Sequence, residues 1–108
     1  MNFPITCGTP SIPRVNTKGL VAKHVYTIIS AHELDHHRLV KVRNPKGAKI
    51  WEGDWCPTSA EWYAPGYKRR MGLQAEAHDD SMFFMSFRDY VEQFQDTTIC
   101  FYEQQQHP

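Results

Sequence analysis

The chain has 108 residues, is 41% hydrophobic, and carries 12 basic against 12 acidic side chains for a formal net charge of zero. That fits one globular domain with a core of modest size. Neither sign of charge forms a long block, which argues against an electrostatic platform for nucleic acid or an anionic membrane, and the apolar runs are far too short to span a bilayer.

Taken in order, residues 1–18 hold Pro4, Pro10 and Pro13 with few periodic apolar positions and read as an irregular N-terminal arm. The arm has no basic n-region and no apolar h-region, so it is not expected to be a secretory signal. Residues 20–30, "LVAKHVYTIIS", and 38–44, "RLVKVRN", read as strands, with Asn44-Pro45 and Gly47 breaking the second. Residues 49–55, "KIWEGDW", suggest a further short strand with a turn. Thr58 and Glu61 have capping-box spacing for a short helix that must stop or bend near Pro65-Gly66. A second short helix is expected at 67–73, with Lys68-Arg69-Arg70 as a solvated face. "MFFMS" (82–86) reads as a strand, and Ser86 with Asp89 opens a helix carrying Phe87, Tyr90, Val91 and Phe94 on one face. "TTICFY" (97–102) is a last strand, and residues 103–108 a polar tail. No repeat or linker divides residues 19–102. The class is α+β, with antiparallel strands and short flanking helices.

Cys7, Cys56 and Cys100 are odd in number and lack C-x-x-C spacing. That favours reduced thiols in an intracellular, cytoplasmic protein over a disulfide framework. Cys56 is expected to be an ordinary buried or half-buried thiol, and the aromatics Trp51, Trp55, Phe83, Phe84 and Phe87 to be core.

"HELDHH" (32–37) contains H-E-x-x-H, the spacing of a zinc protease. That chemistry needs both histidines one helical turn apart on one face. Here the β-branched runs "VYTIIS" and "RLVKV" flank the motif, which therefore reads as a solvated hairpin loop over 31–37, and metal bound there would be adventitious. If the hairpin folds about Leu34, His24 faces Asn44, Tyr26 faces Val42 and Ile28 faces Val40. Opposed side chains on one face lie about 5 Å apart at Cβ. The Asn44 carboxamide could then fix the tautomer of His24 and leave its second nitrogen for a thiol. Taken alone, a histidine on a strand is more commonly a packed or surface residue.

Three stretches together resemble the calpain family of cysteine proteases. "GLVAKHVYT" (19–27) is similar to the family's G-L-V-x-x-H-x-Y-S/T segment, and "VRNPKGAKIWEGDW" (42–55) to its R-N-P-W-G-x-x-x-W-x-G-x-W segment. "DDSMFFMSFRDYVEQF" (79–94) is similar to D-G-x-F-W-M-S-F-x-D-F-x-x-x-F, and "ICFYE" sits where that protease core ends. The resemblance covers residues 19–102 and points to the second, His/Asn-bearing lobe of the papain-like core, an antiparallel β structure with short helices. It makes His24 the general base and Asn44 its orienting partner. The nucleophile has no counterpart: in the family it precedes Trp, whereas Cys7, Cys56 and Cys100 precede Gly8, Pro57 and Phe101. The family's shielding Trp, two positions after the catalytic Asn, is Lys46 here, so a shield becomes a cation. Positions that match the family's acidic calcium ligands are Ile50, Pro57 and Met82, which leaves Asp80 alone, and no cofactor is expected.

The resemblance implies the His/Asn half of a cysteine endopeptidase, incomplete without a Cys-bearing lobe from the same parent chain or another. Its substrate would be a protein or peptide, and the chain alone should be inactive. The alternative is a calpain-like pseudoprotease lobe that serves as a non-catalytic binding or scaffold module. Lys46 and the missing calcium ligands favour it, and the intact His24 and Asn44 oppose it.

Overall fold

The computed structural model describes residues 5–12, 18–47, 50–63, 67–75 and 80–99. Five strands, β1 (Ile5–Gly8), β2 (Val25–Leu34), β3 (His37–Arg43), β4 (Met82–Ser86) and β5 (Asp96–Ile99), form one antiparallel sheet in the order β4-β3-β2-β1-β5. A single 3₁₀ turn (Ala60–Tyr63) and helix α1 (Tyr67–Gln74) precede β4, and α2 (Phe87–Gln93) links β4 to β5. The α+β class with an antiparallel sheet and short helices is thus what the sequence forms.

β1 corrects the reading of residues 1–18 as an irregular arm. Four residues between prolines carry little local signal, yet β1 is hydrogen-bonded on both sides, with Cys7 opposite Tyr26 on β2 and Thr97 on β5. Its conformation is set by two neighbouring ladders rather than by its own propensity. β5 begins one residue earlier than the expected 97–102 strand, whose residues 100–102 lie outside the described part, as do Pro65-Gly66 and the tail.

The hairpin closes differently from the expectation. Its tip is the two-residue turn Asp35-His36, with φ of 50° and 70°. Two-residue turns with positive φ match the twist of paired strands, and Asp and His tolerate that region better than most residues. Leu34 pairs with His37, His32 with Leu39 and Ala31 with Val40, so His32, Glu33 and His37 belong to strands rather than to a loop. A bulge between Ile28 and Ser30 then shifts the register, leaving Ile28 opposite Val42 and Thr27 opposite Arg43. The expected pairs Tyr26–Val42 and Ile28–Val40 do not form.

The bulge has a packing consequence. One extra residue swaps the faces of a strand. Tyr26 and Ile28 accordingly join a core with Cys7, Val40, Val42, Trp51, Phe83, Met85, Tyr90 and Phe94, whereas Leu34 joins Leu39, Trp55, Trp62 and Phe84 in a second. α2 closes the first core through Tyr90 and Phe94, and the 3₁₀ turn closes the second through Trp62. β4 serves both: Phe83 and Met85 point to one, Phe84 to the other. That explains its unbroken apolar sequence.

α2 starts as expected, with the Ser86 hydroxyl accepting the Asp89 N–H at 3.0 Å. Its buried stripe is Tyr90, Gln93 and Phe94, while Phe87 and Val91 are 46% and 54% exposed. Phe87 is therefore not core, and the buried stripe includes Gln93, a polar residue that hydrophobicity could not select. Segment 50–55 is not a strand. Trp51 folds over Gly53, where any Cβ would sit 2.3 Å from the indole, and its Nε1–H reaches the Asp54 carbonyl at 2.8 Å. The 3₁₀ turn is capped by Ser59, not Thr58: the Ser59 hydroxyl accepts the Glu61 N–H at 3.3 Å and also meets the Glu61 carboxylate. Thr58 instead meets the Cys56 thiol at 3.6 Å.

Arg70 corrects the solvated-face reading, since it is only 8% exposed. Its guanidinium pairs with Asp35 at 2.9 Å, donates to the Glu61 carbonyl at 2.7 Å and lies over the Trp55 ring. The side chains of Lys68 and Arg69 lie outside the described part.

Candidate functional site

His24 stands one residue ahead of β2 and Asn44 one residue beyond β3. They lie outside the ladder, so strand pairing does not join them, yet His24 Nε2 is 2.8 Å from Asn44 Oδ1. The expected contact forms although the register from which it was argued does not.

Asn44 is 2% exposed and held on all sides. Its N–H donates to the Ser81 carbonyl at 2.8 Å, and its Oδ1 accepts the Lys46 N–H at 2.9 Å. Only a carbonyl oxygen can accept that N–H, which orients the carboxamide. The oxygen therefore also accepts from His24, so Nε2 carries the ring's proton and Nδ1 is the acceptor of the neutral imidazole. The Asn44–Lys46 bond is the short side-chain turn that Asn forms with the backbone two residues on. It uses the backbone of Lys46, whose side chain is exposed. Any non-proline residue at 46 would supply it.

The His24 ring is half-buried and packs in a T-shaped arrangement with Tyr26, with centroids 4.8 Å apart. Tyr26 is wholly buried, and its hydroxyl accepts the Val21 N–H at 2.9 Å. On the other side of the backbone, Thr9 takes the His24 N–H on its hydroxyl at 2.9 Å and gives its own N–H to the His24 carbonyl at 3.0 Å. The strap that leads in is fixed by Gly19, whose φ of 86° suits glycine and whose Cβ would collide with the Ile50 carbonyl at 2.3 Å. Neither Thr9 nor the Tyr26 hydroxyl was singled out from sequence. Tyr26 is at least part of the H-x-Y pattern, but Thr9 carries no signal there.

The two described thiols serve elsewhere. Cys7 is 1% exposed and its Sγ lies 3.7 Å from the Tyr26 carbonyl. Burial pushes it up to about 12; a hydrogen bond with Tyr90 pulls the other way, and the Asp96 charge adds to the rise. Such a thiol is no nucleophile at neutral pH. Burial likewise raises Tyr26 and Tyr90. Cys56 is buried, beside Thr58. Cys100 lies outside the described residues.

The H-E-x-x-H histidines share no helical face, because His32 lies in the extended β2 and His36 in the turn that follows it. His32 instead meets the Ser30 hydroxyl at 2.7 Å, and His37, just past the motif, packs on Trp55. Among the described residues, no group of three or more His, Cys, Asp or Glu is placed to hold a metal. The one-turn helical spacing that zinc-protease chemistry needs is not formed by residues 32–36.

Residues 2–101 match the profile of the calpain family cysteine proteases. The chain is 34% identical to calpain-9 of Rattus norvegicus over 86 residues, covering 76% of this chain and 12% of that protein. It is 34% identical to rat calpain-13 over 104 residues, 89% of this chain and 15% of that one. It is 31% identical to the calpain-type cysteine protease DEK1 of Arabidopsis thaliana over 101 residues, 91% of this chain and 5% of that protein. The chain thus spans a small fraction of the curated relatives it matches.

Proposed function

The chain belongs to the calpain family of cysteine proteases, and from that premise we propose that it is the His/Asn-bearing lobe of the protease core. A second lobe, from the same parent chain or another, supplies the thiolate, and a protein or peptide is the substrate. The observation that carries this reading is the 2.8 Å contact between His24 Nε2 and the oriented Asn44 Oδ1. The thiolate attacks the scissile carbonyl. His24, paired with it as the imidazolium, protonates the leaving amine and then serves as base for the water that releases the acyl group. Asn44 holds the ring with Nδ1 directed to the reaction. An intracellular, reducing compartment suits a lobe with these unpaired thiols.

Lys46 favours a second reading, the pseudoprotease module, because a cation replaces the family's shielding Trp. Against it, the Asn44 anchor rests on the backbone of residue 46 and survives the exchange. The test is peptide hydrolysis by the chain alone and by the chain joined to a thiol-bearing calpain lobe. The chain alone should cleave nothing, and the joined protein should cleave in a thiol-dependent way. Lys46→Trp should raise the rate of the joined protein. An inactive joined protein, with or without that change, supports the binding module instead.

A further inference from the structure

We propose that Thr9 is a positioning residue for His24, an inference that rests on the protease reading above. His24 must hold its ring against Asn44 and keep Nδ1 available, yet its backbone belongs to no strand. The residue before it, Lys23, has a φ of 49°, so the chain arrives through a sharp reversal. Something outside β2 must fix the His24 backbone, and Thr9 does so at both its N–H and its carbonyl.

The ladder between β1 and β2 ends at Gly8 opposite Val25. An ordinary next rung would pair Thr9 with His24 through both backbones. Half of that rung exists, since the Thr9 N–H donates to the His24 carbonyl at 3.0 Å. The other half is altered: the His24 N–H goes to the Thr9 hydroxyl at 2.9 Å. The hydroxyl hydrogen is then free to donate, and it meets the Val21 carbonyl at 2.6 Å, closer than the 3.2 Å to His24. One side chain therefore accepts from the residue that bears the imidazole and donates to the start of the turn that delivers it. Thr9 is only 6% exposed, so water does not readily replace either bond. The same turn is held from the core side by the Tyr26 hydroxyl on the Val21 N–H.

The chemistry needs a hydroxyl at this point. A backbone carbonyl could accept but not donate, and valine, of the same shape, could do neither. Thr9→Val should leave the sheet intact while releasing the His24 N–H and the Val21 carbonyl. The ring would then lose its fixed relation to Asn44, and small displacements of a reacting group carry large rate costs.

The test compares Thr9→Val and Thr9→Ser. In the 108-residue chain, NMR of the His24 ring nitrogens should report a single tautomer protonated at Nε2. Thr9→Val should convert this to a tautomer mixture, and Thr9→Ser should restore it. In the chain joined to a thiol-bearing lobe, Thr9→Val should lower kcat about tenfold with KM changed by less than about twofold. Serine should recover most of the loss. Unchanged ring signals and kcat in Thr9→Val, or a loss that serine does not repair, would overturn the proposal. Should Thr9→Val not fold, hydrogen exchange in the unaltered chain decides: the His24 amide should exchange as slowly as the amides of β2, and exchange at a loop rate would refute the clamp. If the joined protein is inactive while the tautomer and exchange results hold, the protease reading fails and the Thr9 geometry stands.

Discussion

At the tip of the β2–β3 hairpin, Leu34 pairs with His37, Glu33 with Arg38 and His32 with Leu39, so the ladder runs up to the Asp35-His36 turn. At the open end, His24 and Asn44 meet beyond the last rung, held by Thr9, Tyr26 and the Lys46 N–H. The tip has three histidines and a recognisable metal-binding spelling; the open end has one histidine and an asparagine twenty positions away. Yet it is at the open end that two functional groups are brought into direct contact. A side chain fixed by a regular ladder faces wherever the pleat sends it. Freedom from the ladder, followed by specific anchoring, lets two groups be aimed at each other.

The largest effect should separate these two sets of histidines. In the joined protein, His24→Ala should reduce kcat/KM at least about a thousandfold, while His32→Ala combined with His36→Ala stays within about threefold. Comparable losses from both would dissolve the distinction.

Next in size is the anchoring of the tip. Trp62 is wholly buried and its Nε1–H reaches the Cys56 and Trp55 carbonyls at 2.8 and 3.2 Å. Trp62→Ala should cost about 3–5 kcal/mol in urea unfolding. Arg70→Met keeps the apolar stem but leaves Asp35 without this guanidinium, and should cost about 2 kcal/mol. A loss below about 0.5 kcal/mol would mean that the ion pair behaves as an exposed one.

A smaller effect concerns the open end at high pH. Cys7 is raised from 9.0 to about 12, so its neutral form is the one the fold prefers. Its contribution to stability is fully present below the unfolded value and is lost as pH rises through the folded one. Unfolding free energy should therefore fall more steeply between pH 9 and 11 in the unaltered chain than in Cys7→Ala. Tyr26 and Tyr90 shift in the same direction, so the difference between the two proteins is the quantity to read. Smallest of all, millimolar calcium should leave the thermal midpoint where it is, since a ligand specific to the native state would raise it. A clear rise would reveal carboxylates gathered in a way not anticipated from Ile50, Pro57 and Met82.

The residues themselves determined a good deal. β3, β4, α1 and the Ser86 cap lie within a residue or so of where alternation and capping put them, because those signals are local. The aromatics Trp51, Trp55, Phe83 and Phe84 were legible as core for the same reason. The pairing of His24 with Asn44 is legible through the spelling of the motifs around them, while the register expected to join them does not form. The observed register depends on a turn at Asp35-His36 and a bulge after Ile28, and the bulge lets one strand serve two cores. β1 carries little local signal and is a strand through the ladders that β2 and β5 offer on either side. Arg70 looked like a surface cation because its partners, Asp35 and the Glu61 carbonyl, come from distant or irregular chain. Thr9 was silent for the deepest reason: a threonine between a glycine and a proline means nothing until the fold brings the His24 N–H and the Val21 carbonyl to either side of its hydroxyl. Sequence pattern reports what a residue does for its own segment; what it does for another segment is decided by tertiary contact.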